Sequence, residues 1–204
     1  MSESRTRRRR LPFWVELPIL VVIALVVALV VRQFAVQTFY IPSESMEDTL
    51  LVNDQVLVNK IVYDFRAPER GEIIVFQPPV GWNAPPDEKI FIKRVIGTPG
   101  DHVVCCNAAG QVTVNGYGLT EPYVRPGDRP SDIRFDITVP AGRIFVMGDH
   151  RGNSGDSRIY LAMDSGTVPI SNVQGEAFAT YWPLNRWTGL GVPATFASVP
   201  APKK

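Results

Sequence analysis

From Leu11 to Val31 the chain carries 21 residues with a single charge, Glu16, and from Pro18 to Val31 it has no polar side chain. A helix of that length rises about 30 Å, the thickness of the hydrocarbon layer of a bilayer. Beyond Arg32 the pattern changes from a continuous apolar run to short segments with a period of two. Between Ile133 and Val139, Ile133, Phe135, Ile137 and Val139 share one face, and Arg134, Asp136 and Thr138 the other, as in a half-exposed strand. Strands are predicted at 55–59, 72–77, 89–96, 102–106, 111–114, 133–139, 143–147 and 175–181. Asn115-Gly116 marks a hairpin turn, and 18 prolines and 16 glycines suit short strands joined by turns. The pattern predicts a mainly β chain: a single N-terminal transmembrane helix followed by an all-β body.

Composition adds topology. The chain has 204 residues, 45% hydrophobic, enough for one substantial core. Arg5, Arg7, Arg8, Arg9 and Arg10 precede the apolar run, so by the positive-inside rule residues 1–10 are a cytoplasmic tail, 11–32 the anchor, and 33–188 an extracytoplasmic domain. No Ala-x-Ala-like site follows Val31, which favours a retained anchor over a cleaved leader. Without those five arginines the body is slightly acidic, so no nucleic acid is expected as partner. Residues 189–204, rich in Pro and Ala, are expected to be poorly ordered. Cys105 and Cys106 are the only cysteines. Strand alternation points neighbours to opposite faces and a bond between them closes a small ring, so free, partly buried thiols are expected. With His102 they are too few ligands for a closed zinc site, and neither a metal nor a cofactor is expected.

Three segments carry candidate chemistry. Ser43 and Ser45 lie in the turn-prone Ile-Pro-Ser-Glu-Ser; they are either turn residues bonding nearby backbone or the place for a nucleophile at the rim of a sheet. The strand 89–96, KIFIKRVI, has two apolar faces interrupted by Lys93 on one and Arg94 on the other. A buried lysine there would have a lowered pKa and would accept a proton near neutrality; alternatively it snorkels to solvent or pairs with a carboxylate. Finally, Met147 to Arg158 is too polar for an interior strand. Its Asp149 and Asp156 alternate with Arg151 and Arg158, and Ser154 offers a small hydroxyl.

In this order, behind an anchor, the three segments resemble bacterial type I signal peptidases: IPSESM the nucleophile box, IKRVIGTPGD the lysine box and GDHRGNSGDSR the closing box. Asp48 and His150 stand where the family usually has proline and asparagine. The resemblance implies a coiled, barrel-like extracytoplasmic β-sheet with a small β insertion at about 101–142. It implies Ser45 as nucleophile and Lys93 as general base, Ser43 as an oxyanion donor with the Ser45 N–H, and Ser154 orienting the lysine. Asp156, Arg94, Arg158 and Asp149 would support the site. The implied reaction is removal of signal peptides from exported preproteins after an Ala-x-Ala-like site, without cofactor or metal, in a bacterial plasma membrane, the N-terminus cytoplasmic; the sequence leaves the oligomeric state open. A rival base is His150, beside Asp149.

Overall fold

The computed structural model describes residues 12–83 and 89–202. The basic tail 1–10 and part of the Pro-rich loop, residues 84–88, lie outside the described residues, and within helix α1 (Phe13–Phe34) side chains are described for 13–27. Those side chains are all exposed, Trp14, Leu20 and Leu25 among them. Residues 13–27 alone rise about 22 Å, and among the described residues no helix is long and apolar enough to cross a membrane.

The rest is β. In chain order come β1 (Val36–Tyr40), β2 (Gln55–Asn59), β3 (Ile73–Phe76), β4 (Phe91–Gly97), β5 (His102–Cys105) and β6 (Val112–Val114). Then follow β7 (Tyr117–Gly118), β8 (Phe135–Thr138), β9 (Arg143–Met147), β10 (Val168–Pro169), β11 (Val173–Trp182) and β12 (Thr188–Gly189). An eight-stranded sheet runs β1-β2-β11-β3-β4-β9-β10, with β12 on β11, and a four-stranded sheet runs β7-β6-β5-β8. Where β11 crosses β2 the register shifts between Ala177 and Ala179 and again between Thr180 and Trp182. Such bulges bend a strand and increase its twist, so the large sheet curls.

Alternation decides what each face holds. Pairing of β3 with β4 sets Ile73 opposite Arg94 and Ile74 opposite Lys93. Ile73, Val75 and Ile92 pack with Ile41, Met46, Leu50, Val56 and Val58, while Ile74, Phe76, Phe91 and Val95 pack with Trp82, Val146 and Tyr160. Each such side chain contributes about 1.5–3 kcal/mol when fully buried. The small sheet closes a third cluster, Val103, Val112, Val114, Leu119 and Phe135, against Ile96, Phe145 and Met147 of the large one.

Three expectations change. First, β1 was not predicted: its side chains are only half-buried or exposed, as on an edge strand, so it shows no alternation. Second, residues 189–202 are not loose, while 203 and 204 lie outside the described residues. Leu190, Phe196 and Val199 are buried, Phe196 and Val199 join the third cluster, and Asn115 Nδ2 donates to the Pro200 carbonyl at 2.8 Å. Prolines pre-set an extended backbone, and three apolar side chains along it suffice to dock the segment where composition alone suggested disorder.

Third, Cys105 and Cys106 are joined in a disulfide. The strand ends at Cys105, so alternation no longer governs Cys106 and the expectation of free thiols fails. Alkylation of the native protein should therefore label neither cysteine, and alkylation after reduction both; labelling without reductant would contradict this. The tryptophans divide between core and surface. Trp82 is core, stacked on Tyr160 at 4.5 Å between ring centroids, whereas Trp182 and Trp187 are 48% and 65% exposed.

Candidate active site

The nucleophile turn, residues 41–54, is closed at its base and anchored from beneath. Ile41 N–H donates to the Asp54 carbonyl at 2.9 Å and Asn53 N–H to the Ile41 carbonyl at 3.0 Å. Ile41, Met46 and Leu50 are fully buried under it. Asp54 is pinned by the Arg186 guanidinium at 2.9 Å and accepts from Leu51 N–H at 2.8 Å. With three apolar pegs below, the short polar side chains between them remain at the surface of the sheet.

Ser45 is one of them. Its Oγ lies 2.7 Å from Lys93 Nζ, Ser45 being 7% and Lys93 3% exposed. Nζ also donates to the Ile92 carbonyl at 2.9 Å and stands 5.2 Å from the centroid of the Phe91 ring. Ser43 Oγ is 3.4 Å from Ser45 Oγ. These three side chains line a cleft of about 220 Å³ with Phe91, Asn83, Asn153 and Tyr160. Its wall is fixed from outside: Asn83 N–H donates to Tyr160 Oη at 3.0 Å, and Asn153 Nδ2 donates to the Glu44 carboxylate at 3.0 Å.

The loop from Met147 to Arg158 is held by three ion pairs that exclude water almost completely. Arg94, on the opposite face of β4 from Lys93, grips Asp149 with two N–H groups at 2.9 and 2.6 Å. Asp149 also accepts from Thr49 Oγ1 of the nucleophile turn at 2.5 Å. Asp156 accepts from Arg158 at 2.9 and 2.7 Å and from Gly148 N–H at 2.9 Å. Arg151 pairs with Glu121 at 2.5 Å, which fastens the loop to the segment after β7. Burial would raise the Asp156 carboxyl, but the Arg158 guanidinium and the Gly148 N–H outweigh it and hold it below the ordinary 3.8.

Ser154 Oγ is buried and, among the described residues, meets no partner at full hydrogen-bond geometry. A Cβ built on Gly148 would run into Ser154 Oγ and the Ser45 carbonyl oxygen, so loop and nucleophile turn touch where only glycine fits. Gly148→Ala should cost about 1–3 kcal/mol of stability, read from the denaturant midpoint; an unchanged midpoint would mean the two segments part easily.

The structure thus brings Ser43, Ser45 and Lys93 to one cleft, and the loop that borders it carries Asp149, Asp156 and Arg158, with Arg94 of β4 gripping Asp149. His150 turns away from Ser45 Oγ: its Nδ1 lies 3.1 Å from the Glu44 carbonyl and its Nε2 2.8 Å from Arg125 Nη1. Glu44, Glu47 and His150 bring ligating atoms within 4.8 Å of one another, yet both ring nitrogens of His150 are already engaged, so the group makes a poor metal site. Sequence reading missed Glu121, Thr49, Asn83 and Tyr160. All four act across long separations, with no periodicity to mark them.

The geometry fits what comparison shows. Residues 14–182 match the family described as signal peptidase, peptidase S26. A probable signal peptidase I of Mycobacterium leprae (strain TN) is 37% identical over 90% of this chain and 81% of its own. Signal peptidase I of Leptolyngbya laminosa is 42% identical over 85% of this chain and 82% of its own. Signal peptidase I of Pseudomonas aeruginosa PAO1 is 34% identical over 81% of this chain and 72% of its own. A match of that extent, carried through the turn of Ser45, the strand of Lys93 and the Gly-Asp loop, makes this chain a member of the signal peptidase family, peptidase S26.

Proposed function

We propose that this chain is a membrane-anchored serine endopeptidase that removes signal peptides from exported preproteins, cutting after an Ala-x-Ala-like site. The observation that carries the reading is the 2.7 Å approach of Ser45 Oγ to the almost fully buried Lys93 Nζ. A serine hydroxyl becomes a nucleophile when a neutral base at hydrogen-bond distance takes its proton. Burial among Phe91 and its neighbours disfavours an ammonium ion. A neutral amine that donates to the Ile92 carbonyl keeps its lone pair for Ser45.

Lys93 removes the Ser45 proton as Oγ attacks the scissile carbonyl carbon. The developing oxyanion is held by the Ser45 N–H and the Ser43 hydroxyl. Collapse breaks the C–N bond, the leaving amine takes the proton from Lys93, and an ester on Ser45 remains. Water, deprotonated by Lys93, then hydrolyses the ester. The loop from Met147 to Arg158, locked by its buried ion pairs, keeps the far wall of the cleft in place.

Anchoring rests on the apolar run 11–31 and the arginines before it. A nucleophile about fourteen residues beyond that span works close to the outer surface of the plasma membrane, where the end of a signal peptide emerges. The exposed Trp182, Leu184 and Trp187 suit an apolar interface with lipid. The test is to incubate the full chain in detergent micelles with a preprotein bearing one Ala-x-Ala site and to sequence the new N-terminus. Cleavage directly after that site supports the reading; no cleavage, or cleavage elsewhere, contradicts it.

A further inference from the structure

We propose that His150 is the positioning residue that aims the backbone donor of the oxyanion hole, an inference that rests on the role given above to the Ser45 N–H. His150 is 6% exposed, and its ring is held between two groups of opposite hydrogen-bonding character. The Glu44 carbonyl, 3.1 Å from Nδ1, can only accept, and the Arg125 guanidinium, 2.8 Å from Nε2, can only donate. These partners assign a neutral ring with its proton on Nδ1. Glu47 Oε2 at 3.6 Å from Nδ1 and Asp128 Oδ2 at 4.0 Å from Nε2 are the acidic groups that face it.

The carbonyl it grips matters because of what lies at the other end of the same peptide unit. Glu44 C=O and Ser45 N–H belong to one planar trans peptide and point in opposite directions. Fixing the oxygen therefore fixes where the Ser45 N–H aims. The backbone N–H of His150 donates to the next carbonyl, that of Ser45, at 3.2 Å, so one residue clasps the peptide units on both sides of the nucleophile. Within the turn the Glu44 carbonyl also accepts from Glu47 N–H at 3.0 Å. That bond shapes the turn locally; the bond from His150 references it to the rigid loop, whose Asp149 is locked by Arg94. An oxyanion donor acts in the transition state and little in the ground state, so loosening its aim should lower kcat and spare KM.

The experiment compares His150→Leu, which keeps bulk and loses the donor, with His150→Asn, whose amide can donate to the same carbonyl, in the full chain with the Ala-x-Ala preprotein, each with its melting temperature. His150→Leu is expected to lower kcat about ten- to a hundred-fold with KM little changed, and His150→Asn to restore most of the rate. If the leucine variant fails to fold, His150→Asp, the same shape as asparagine but without the donor, takes its place and is expected to be impaired relative to His150→Asn. Equal rates for donor and non-donor variants, or a loss confined to KM, overturn the inference. Should Ser45→Ala also cleave normally, the underlying reading fails; if it is inactive while the His150 variants are all normal, only this inference does.

Discussion

Replacing Lys93 by methionine is expected to abolish cleavage, lowering the single-turnover rate by about ten-thousand-fold, the upper end of what a general base contributes. Methionine matches the length of lysine and is apolar, so it fills the slot against Phe91 without leaving a buried charge. The protein should fold at least as well as the parent, since exchanging a buried ionisable group for a packed apolar one is often neutral or stabilising. The pairing of outcomes is what discriminates. A variant that melts at or above the parental temperature but does not turn over isolates the amine as the missing part. A variant that retains more than about one hundredth of the rate would move the base elsewhere.

The second large effect concerns stability. Asp156→Ala should destabilise the protein by about 3–5 kcal/mol, because it strips the partner from Arg158 while that guanidinium stays buried. For a chain of this size that corresponds to a fall in melting temperature on the order of 10 °C. Denaturant titration of both proteins gives the difference directly, and a change below about 1 kcal/mol would mean that water reaches the pair. The same carboxylate gives a pH arm. Its folded-state pKa lies below the ordinary 3.8, so its contribution is fully present above that value and is lost as pH falls through the folded value. Asp101, lowered from 3.8 by Arg70, Thr98 and Asn115 against the opposing effect of burial, behaves with the same sign. Below about pH 4 the parent should lose stability faster than Asp156→Ala.

Much of this was legible along the chain, for physical reasons that differ from residue to residue. Lys93 and Arg94 are adjacent, and the alternation of a strand alone sends them to opposite faces. One therefore meets Ser45 and the other Asp149. The large sheet was visible because its strands are apolar in blocks, and β2 and β9 have the predicted bounds. What stayed hidden was set by distant partners. β1 sits at an edge and shows no alternation, the final segment docks through three apolar residues among prolines, and Glu121 finds Arg151 thirty positions away. The His150 side chain reaches a backbone carbonyl 106 positions earlier. A bond to a carbonyl selects no residue type at the accepting position, so it leaves no mark in the sequence there.

In the proposed reaction the Ser45 hydroxyl is the attacking group. The most direct measurement of this is the rate of preprotein cleavage by Ser45→Ala, purified beside the parent in the same micelles and shown by melting to be folded. The parent is expected to cut after the Ala-x-Ala site and the variant to leave the preprotein intact; cleavage by the variant at a comparable rate would show that another group attacks.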